Sequence, residues 1–225
     1  VSDQGDRKAD ATRLLIVRAA ARQFSRRPYS LVSLDDILAD AAVTKGAMYF
    51  HFRSKYALAV AIIEYRAEQS RSAVAEVLAR RLPGLETLID VLFVIAVEDV
   101  SDELARAGLN LLESIGRTDG LGARTLGAWV TGFGGIARRA IAEGDVPAER
   151  EADDIARLLV SMYLGVRQLS DLDEPQSFLD RLARAWDLVL PGIAEPERLS
   201  YLRQFTRRRG AMALRRATAL APDEL

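Results

Sequence analysis

The chain has 225 residues, 49% of them hydrophobic and 7% aromatic, which is enough for a small domain joined to a larger one and for a proper core. It has no cysteine, which excludes disulfides, thiolate metal sites and cysteine nucleophiles and fits a reducing cytoplasm. No apolar run approaches the roughly 18 residues of a membrane span, and no basic-then-apolar leader opens the chain.

The net charge of −1 is unevenly spread. Residues 1–56 hold ten Lys/Arg against six Asp/Glu, and the remainder holds twenty-one against twenty-six. A basic front on an acidic body is the footprint of a polyanion-binding module attached to something else. All three lysines, Lys8, Lys45 and Lys55, fall in that front.

Strand signals are nearly absent and helical spacing is nearly everywhere. Residues 1–9 read as polar and loose. A first helix is expected from about Asp10 to Arg26, ended by Pro28. Ser33 has the character of an N-cap, with Asp35 and Asp36 in the first turn of a short helix to about Ala41. An Ala42-Val43 turn leads to a second cap, Thr44, and a helix to about Phe50. Ser54 caps a long helix from Lys55 to about Arg80, closed by Pro83-Gly84. Further helices are expected near 85–98, 102–115, 122–143, 151–171, 176–190 and 196–216, with a break at Pro191–Pro196. The reading is all-α, with about nine or ten helices and no repeat.

The informative stretch is Ser33 to Leu58, SLDDILADAAVTKGAMYFHFRSKYAL. It reads as a helix-turn-helix followed by a capped third helix. Ile37, Leu38 and Ala41 pack one side, Val43 plugs the turn, and Ala47, Met48 and Phe50 brace the second helix. Thr44, Lys45, Gly46, Tyr49 and His51 are left for the outer side. The second helix of such a pair enters the major groove. Thr44 and Lys45 offer donors for base edges, and Gly46 allows close backbone approach. Tyr49, His51 and Lys55 can donate to phosphates.

The run TKGAMYFHFRSKYAL resembles the signature of the TetR family of bacterial repressors, with Thr44, Lys45, Gly46, Tyr49, His51, Phe52, Lys55 and Leu58 in step. The resemblance implies an N-terminal three-helix DNA-binding domain, residues 1–56, and a helical ligand-binding and dimerisation domain, residues 57–225. By the same resemblance Lys45 and Thr44 contact bases, while Ser33, Tyr49, His51 and Lys55 contact phosphates, joined by Arg7, Lys8 and Thr12.

Apolar stripes at i, i+3, i+4 along 151–171 and 176–190 suit a dimer four-helix bundle or an intrachain core equally well. VTKGAMYFHF, LARAGLNLL (Leu104–Leu112), Trp129 and GVRQLSD (Gly165–Asp171) together resemble the γ-butyrolactone-receptor branch of actinomycetes. In that branch the tryptophan covers the signal, which implies a pocket around Trp129 with Phe93, Leu109, Leu112, Phe133, Met162, Tyr163 and Val166. The chain departs from the branch at Arg167, where glutamine is frequent, and at Asn110, where arginine is frequent.

No cofactor, metal site or catalytic set is expected. The single histidine lies in the DNA motif, and the nearest approach to a reactive pair is Glu113 beside Ser114. The reading is a homodimeric repressor on a pseudo-palindromic double-stranded operator, released by a small hydrophobic effector. A TetR-type regulator of an efflux or lipid-catabolism operon and a ligand-independent DNA-binding protein share the same motif.

Overall fold

The computed structural model describes residues 2–221, apart from the side chains of residues 2–6 and 8. The described residues form ten α-helices and no strand: α1 (Ser2–Arg26), α2 (Leu34–Ala41), α3 (Lys45–His51), α4 (Lys55–Ala79), α5 (Gly84–Ser101), α6 (Glu103–Ile115), α7 (Leu121–Ala142), α8 (Ala152–Gln168), α9 (Pro175–Ile193) and α10 (Leu199–Arg216). α1 begins well before Asp10, so the polar opening is helical rather than loose; apolar periodicity cannot report a turn that has no buried face. α9 continues through Pro191 to Ile193, which moves the expected break to the residues after it.

The chain packs as two compact units. The first comprises the residues up to Gln69 together with Asp102–Ala123, and the second comprises Ser70–Ser101 together with Arg124 onward. The first unit therefore holds more than residues 1–56. It takes in the start of α4 and recruits α6, which the sequence reading assigned to the body.

In the first unit α1 is the central element, packing against α6 and α2 and, less extensively, against α3. Ile16, Ala19, Ala20 and Phe24 of α1 are fully buried, as are Ile37, Met48, Leu58 and Ile62 from the helices around it. Each large apolar side chain buried in this way contributes about 1.5–3 kcal/mol. Polar contacts fix the register. Asp40 on α2 accepts from Arg22 at 2.6 Å and from Gln23 at 3.1 Å. The Asn110 amide on α6 donates to the carbonyls of Phe24 (3.0 Å) and Ser25 (3.1 Å), satisfying acceptors that the end of α1 leaves open. A Cβ at Gly108 would lie 2.6 Å from the Cβ of Arg66, so glycine permits the close approach of α6 to α4.

In the second unit α5 is buried on nearly every side, as expected of a helix apolar all round. α10 packs against α5 and α9, and α8 against α9. α7 crosses α5 closely at Gly84, where a Cβ would lie 2.5 Å from the Ala140 nitrogen, and Arg139 donates to the carbonyl of Leu82 (3.1 Å) and the hydroxyl of Thr87 (2.7 Å). Three acids on α5 are buried and paired. Asp90 meets Arg80 at 2.6 Å and Arg209 at 3.2 Å, and Glu86 meets Arg198 at 3.4 Å. Asp99 meets Arg167 at 2.6 Å and accepts from the Tyr163 hydroxyl at 3.2 Å. Of the arginines on α10, Arg209 is drawn inward to Asp90, while Arg203, Arg207, Arg208, Arg215 and Arg216 are exposed.

Candidate nucleic-acid interface

The α2–turn–α3 segment is built by local hydrogen bonds. Ser33 caps α2 with a reciprocal box: its hydroxyl accepts from the Asp36 amide at 3.0 Å, and Asp36 accepts from the Ser33 amide at 2.9 Å. The Asp36 carboxyl is held below the usual carboxylate range by these bonds from Ser33, above all the backbone one, and by the neighbouring Arg27. α2 ends on Ala42 in the left-handed region (φ 52°), with the Ala42 and Val43 amides donating to the Ala39 and Leu38 carbonyls. This αL residue reverses the chain in the few residues between the helices. The Thr44 hydroxyl then caps α3, accepting from the Ala47 amide at 3.2 Å. Both capping hydroxyls act as acceptors here, and that of Thr44 keeps its O–H proton for an outside partner.

α3 is held from behind by Met48, fully buried, and by Phe52, 5% exposed; Arg13 of α1 stacks over the Phe52 ring at 5.3 Å. Thr44, Lys45, Gly46 and Tyr49 are exposed on the front of α3; Ser33 and Arg7 are also exposed, while His51 and Thr12 are half-buried. The Lys8 side chain lies outside the described residues. Phe50 does not brace the helix. It is 79% exposed and meets His51 edge-on at 5.0 Å. The helical phase already contained this result, because Phe50 lies about 200° round the helix from Met48.

Lys55 has a different setting from Lys45. Its ammonium donates to the carbonyls of Tyr29 (2.8 Å) and Val32 (2.9 Å) and sits 4.2 Å from the Tyr29 ring centroid. It ties the start of α4 to the loop after α1, a structural task that the spacing of the motif does not reveal. Ser54 caps α4 as expected, accepting from the Ala57 amide at 3.0 Å.

A profile described as "Bacterial regulatory proteins, tetR family" matches residues 16–62, the segment just described. The A-factor receptor protein of Streptomyces griseus is 30% identical over 189 residues, 84% of this chain and 66% of that protein. A crystal structure of a γ-butyrolactone receptor (ArpA-like protein) superposes with a TM-score of 0.76 at 30% identity, covering 91% of this chain and 99% of that one. The TetR-family protein CprB of Streptomyces coelicolor, in complex with its biological operator sequence, gives a TM-score of 0.77 at the same identity and coverage. The chain belongs to the TetR family. It is accordingly a regulator with a DNA-binding helix-turn-helix and not an enzyme.

The pocket candidates of this TetR-family chain are divided between its two units. Leu109 and Leu112 lie on α6 in the first unit and are buried there. Phe93, Trp129, Phe133, Met162, Tyr163 and Val166 lie in the second. Phe93, Phe133 and Tyr163 are buried, and Trp129, Met162 and Val166 are half-buried. Tyr163 packs edge-on against Phe178 (6.3 Å) besides bonding Asp99. A groove between α5 and α10 is lined by Phe93, Val94, Val97, Met212 and Ala213 together with charged residues of both helices, and takes only Phe93 from that set. The Asp99–Arg167 pair was missed in the sequence, although Arg167 stood out as a departure from the γ-butyrolactone-receptor pattern.

Proposed function

We propose that this protein is a transcriptional repressor that binds a pseudo-palindromic operator as a homodimer and is released by a small hydrophobic effector of the γ-butyrolactone kind. The observation that carries the reading is the outward face of α3, where Thr44, Lys45, Gly46 and Tyr49 stand exposed over a buried Met48. Lys45 and Thr44 read base edges from the first turn of the recognition helix. Arg7, Thr12, Ser33, Tyr49 and His51 provide phosphate contacts and with them salt-sensitive affinity. Lys55 acts chiefly by holding the loop that carries Ser33.

The dimer is supported by apolar side chains left exposed on α8, just after its end and on α9: Leu158 (44%), Leu169 (77%) and Leu188 (82%). Such residues on neighbouring helices suit a two-fold interface. A dimer of this kind sets two recognition helices about 34–36 Å apart, one helical turn of DNA. The effector role is supported by the named ligand class of the similar receptor structure and by the half-buried Trp129 on α7. Functionally, residues 1–56 form the reading head and residues 57–225 the sensing and dimerising body. A coupling of about 1–3 kcal/mol between them is typical of such regulators and changes operator affinity by roughly 5–150-fold.

The test is selection of bound duplexes from a random library, followed by titration of the recovered site with and without a γ-butyrolactone. A palindromic site, bound with relaxed discrimination by Lys45→Ala and more weakly in the presence of the lactone, is the expected result. Salt-sensitive binding that selects no sequence would remove the repressor reading. A site that is selected but insensitive to the lactone would remove the effector alone.

A further inference from the structure

Phe50 has no role in the reading above, yet at 79% exposure it is the most exposed aromatic side chain among the described residues. Burial elsewhere does not explain it. Met48 and Phe52, four residues apart, both face the interior, and that spacing fixes the phase of the helix. The face opposite Met48 is centred on Gly46 and Phe50, which are also four residues apart and therefore neighbours on the helix surface.

Gly46 raises a second, independent question. Glycine weakens a helix, and α3 is only seven residues long. Nothing in the protein requires glycine at this position. It has no positive φ, and an added Cβ would meet only the Thr44 hydroxyl, at a comfortable 3.9 Å. The side chain is absent where the protein itself has room for one, so the space is left for something outside. Gly46 and Phe50 together form a notch: a bare backbone floor beside an apolar wall. The Phe50 ring is oriented by its near-perpendicular contact with His51, at 88°.

We infer that this notch receives the 5-methyl group of a thymine, making Phe50 a specificity-determining residue that reads thymine by apolar contact. The proposal rests on the DNA-binding reading of α3 and deepens it. Lys45 and Thr44 in the same helix read by hydrogen bonds, which distinguish donors and acceptors. The thymine methyl is the one apolar feature a base pair presents in the major groove, and phenylalanine is among the side chains that match it. The Phe50 ring itself cannot hold a phosphate, because an exposed phenyl offers no donor.

The experiment uses the full-length protein and the duplex it selects. Each thymine of one half-site is replaced in turn by deoxyuridine, which removes the methyl and keeps every hydrogen-bonding atom. For the wild type, one position should weaken binding about fourfold, the effect of burying one methyl-sized group. Phe50→Ala should bind the thymine and deoxyuridine duplexes alike, with an unchanged salt slope and, because the ring is exposed, an unchanged melting temperature. Gly46→Ala fills the floor and should weaken the thymine duplex more than the deoxyuridine one.

A wild type indifferent to every deoxyuridine, or a Phe50→Ala variant that keeps the full methyl preference, overturns the assignment. The two failures are separable. Binding that selects no sequence brings down the operator reading and this inference with it. Sequence-selective binding without a methyl effect brings down this inference alone.

Discussion

Lys45 and Tyr49 on α3 stand in solvent, whereas Asp90 and Asp99 on α5 lie in the interior of the second unit. On α3 the side chains needed for folding face inward and the polar ones face whatever the protein binds. On α5 the arrangement is partly inverted, and three acids are buried against arginines from α8, from α10, from the residue after α4 and from the turn before α10. An outward polar residue is explained by its partner outside the protein. An inward one is explained by its partner within, which can be far away in sequence. The two kinds of charge should therefore respond to mutation in opposite ways.

The largest effect is expected at Arg167, 3% exposed and 2.6 Å from a fully buried Asp99. Removing one partner of such a pair leaves an uncompensated charge and costs about 3–5 kcal/mol. Arg167→Ala should lose that much in denaturant unfolding. Tryptophan fluorescence follows the second unit alone, because Trp129 and Trp186, the only two tryptophans, both lie there. A loss under about 1 kcal/mol would mean that water reaches the pair. Replacing both partners, Arg167→Met with Asp99→Leu, should recover most of the stability.

Next in size is a contrast between two lysines of one motif. Lys55→Ala removes an ammonium from two carbonyls; a hydrogen bond to a charged group is worth about 1.5–3 kcal/mol, and the half-buried setting of Lys55 keeps the pair of bonds near the low end of that range. The substitution should destabilise the first unit by roughly 2 kcal/mol, seen as faster amide exchange in α1 and α4. Lys45→Ala, with its side chain in solvent, should change stability by less than about 0.5 kcal/mol while relaxing operator discrimination. Equal effects on stability would erase the distinction between the outward and inward faces.

This distinction also explains what could be read from the sequence. The caps at Ser33, Thr44 and Ser54 join residues three apart, so local spacing reveals them. The front of α3 was legible for the same reason, except that Phe50 was placed on the wrong side by its hydrophobicity when its helical phase pointed outward. The partners of Asp99 and Glu86 lie 68 and 112 residues away, and no local pattern carries such a pairing. α6 packs on α1 through an apolar face and the Asn110 amide, a contact between residues 85 and 86 positions apart that local spacing does not carry. Trp129 is half-buried on α7, and periodicity alone does not distinguish a ligand-facing tryptophan from a core one.

The smallest effect sits between the two extremes, at the half-buried pair of Asp40 and Arg22, with side chains 21% and 41% exposed. Burial pushes the Asp40 carboxyl up, but the hydrogen bonds from Arg22 and Gln23 and the charge of Arg22 outweigh it and hold the group below its ordinary value. A carboxyl depressed in the folded state adds stability above its unfolded pKa, near 4, and that stability is lost as the pH falls through the folded value. The exposure of the pair limits its contribution to less than about 1 kcal/mol. Amide NMR signals of α1 and α2 should therefore report a first unit that loosens as the pH drops below about 4. Asp40→Asn should be slightly less stable at neutral pH and flatter across the acid range. If wild type and variant fall in parallel with acid, the Asp40 shift contributes nothing to folding, and the α1–α2 register rests on its apolar contacts alone.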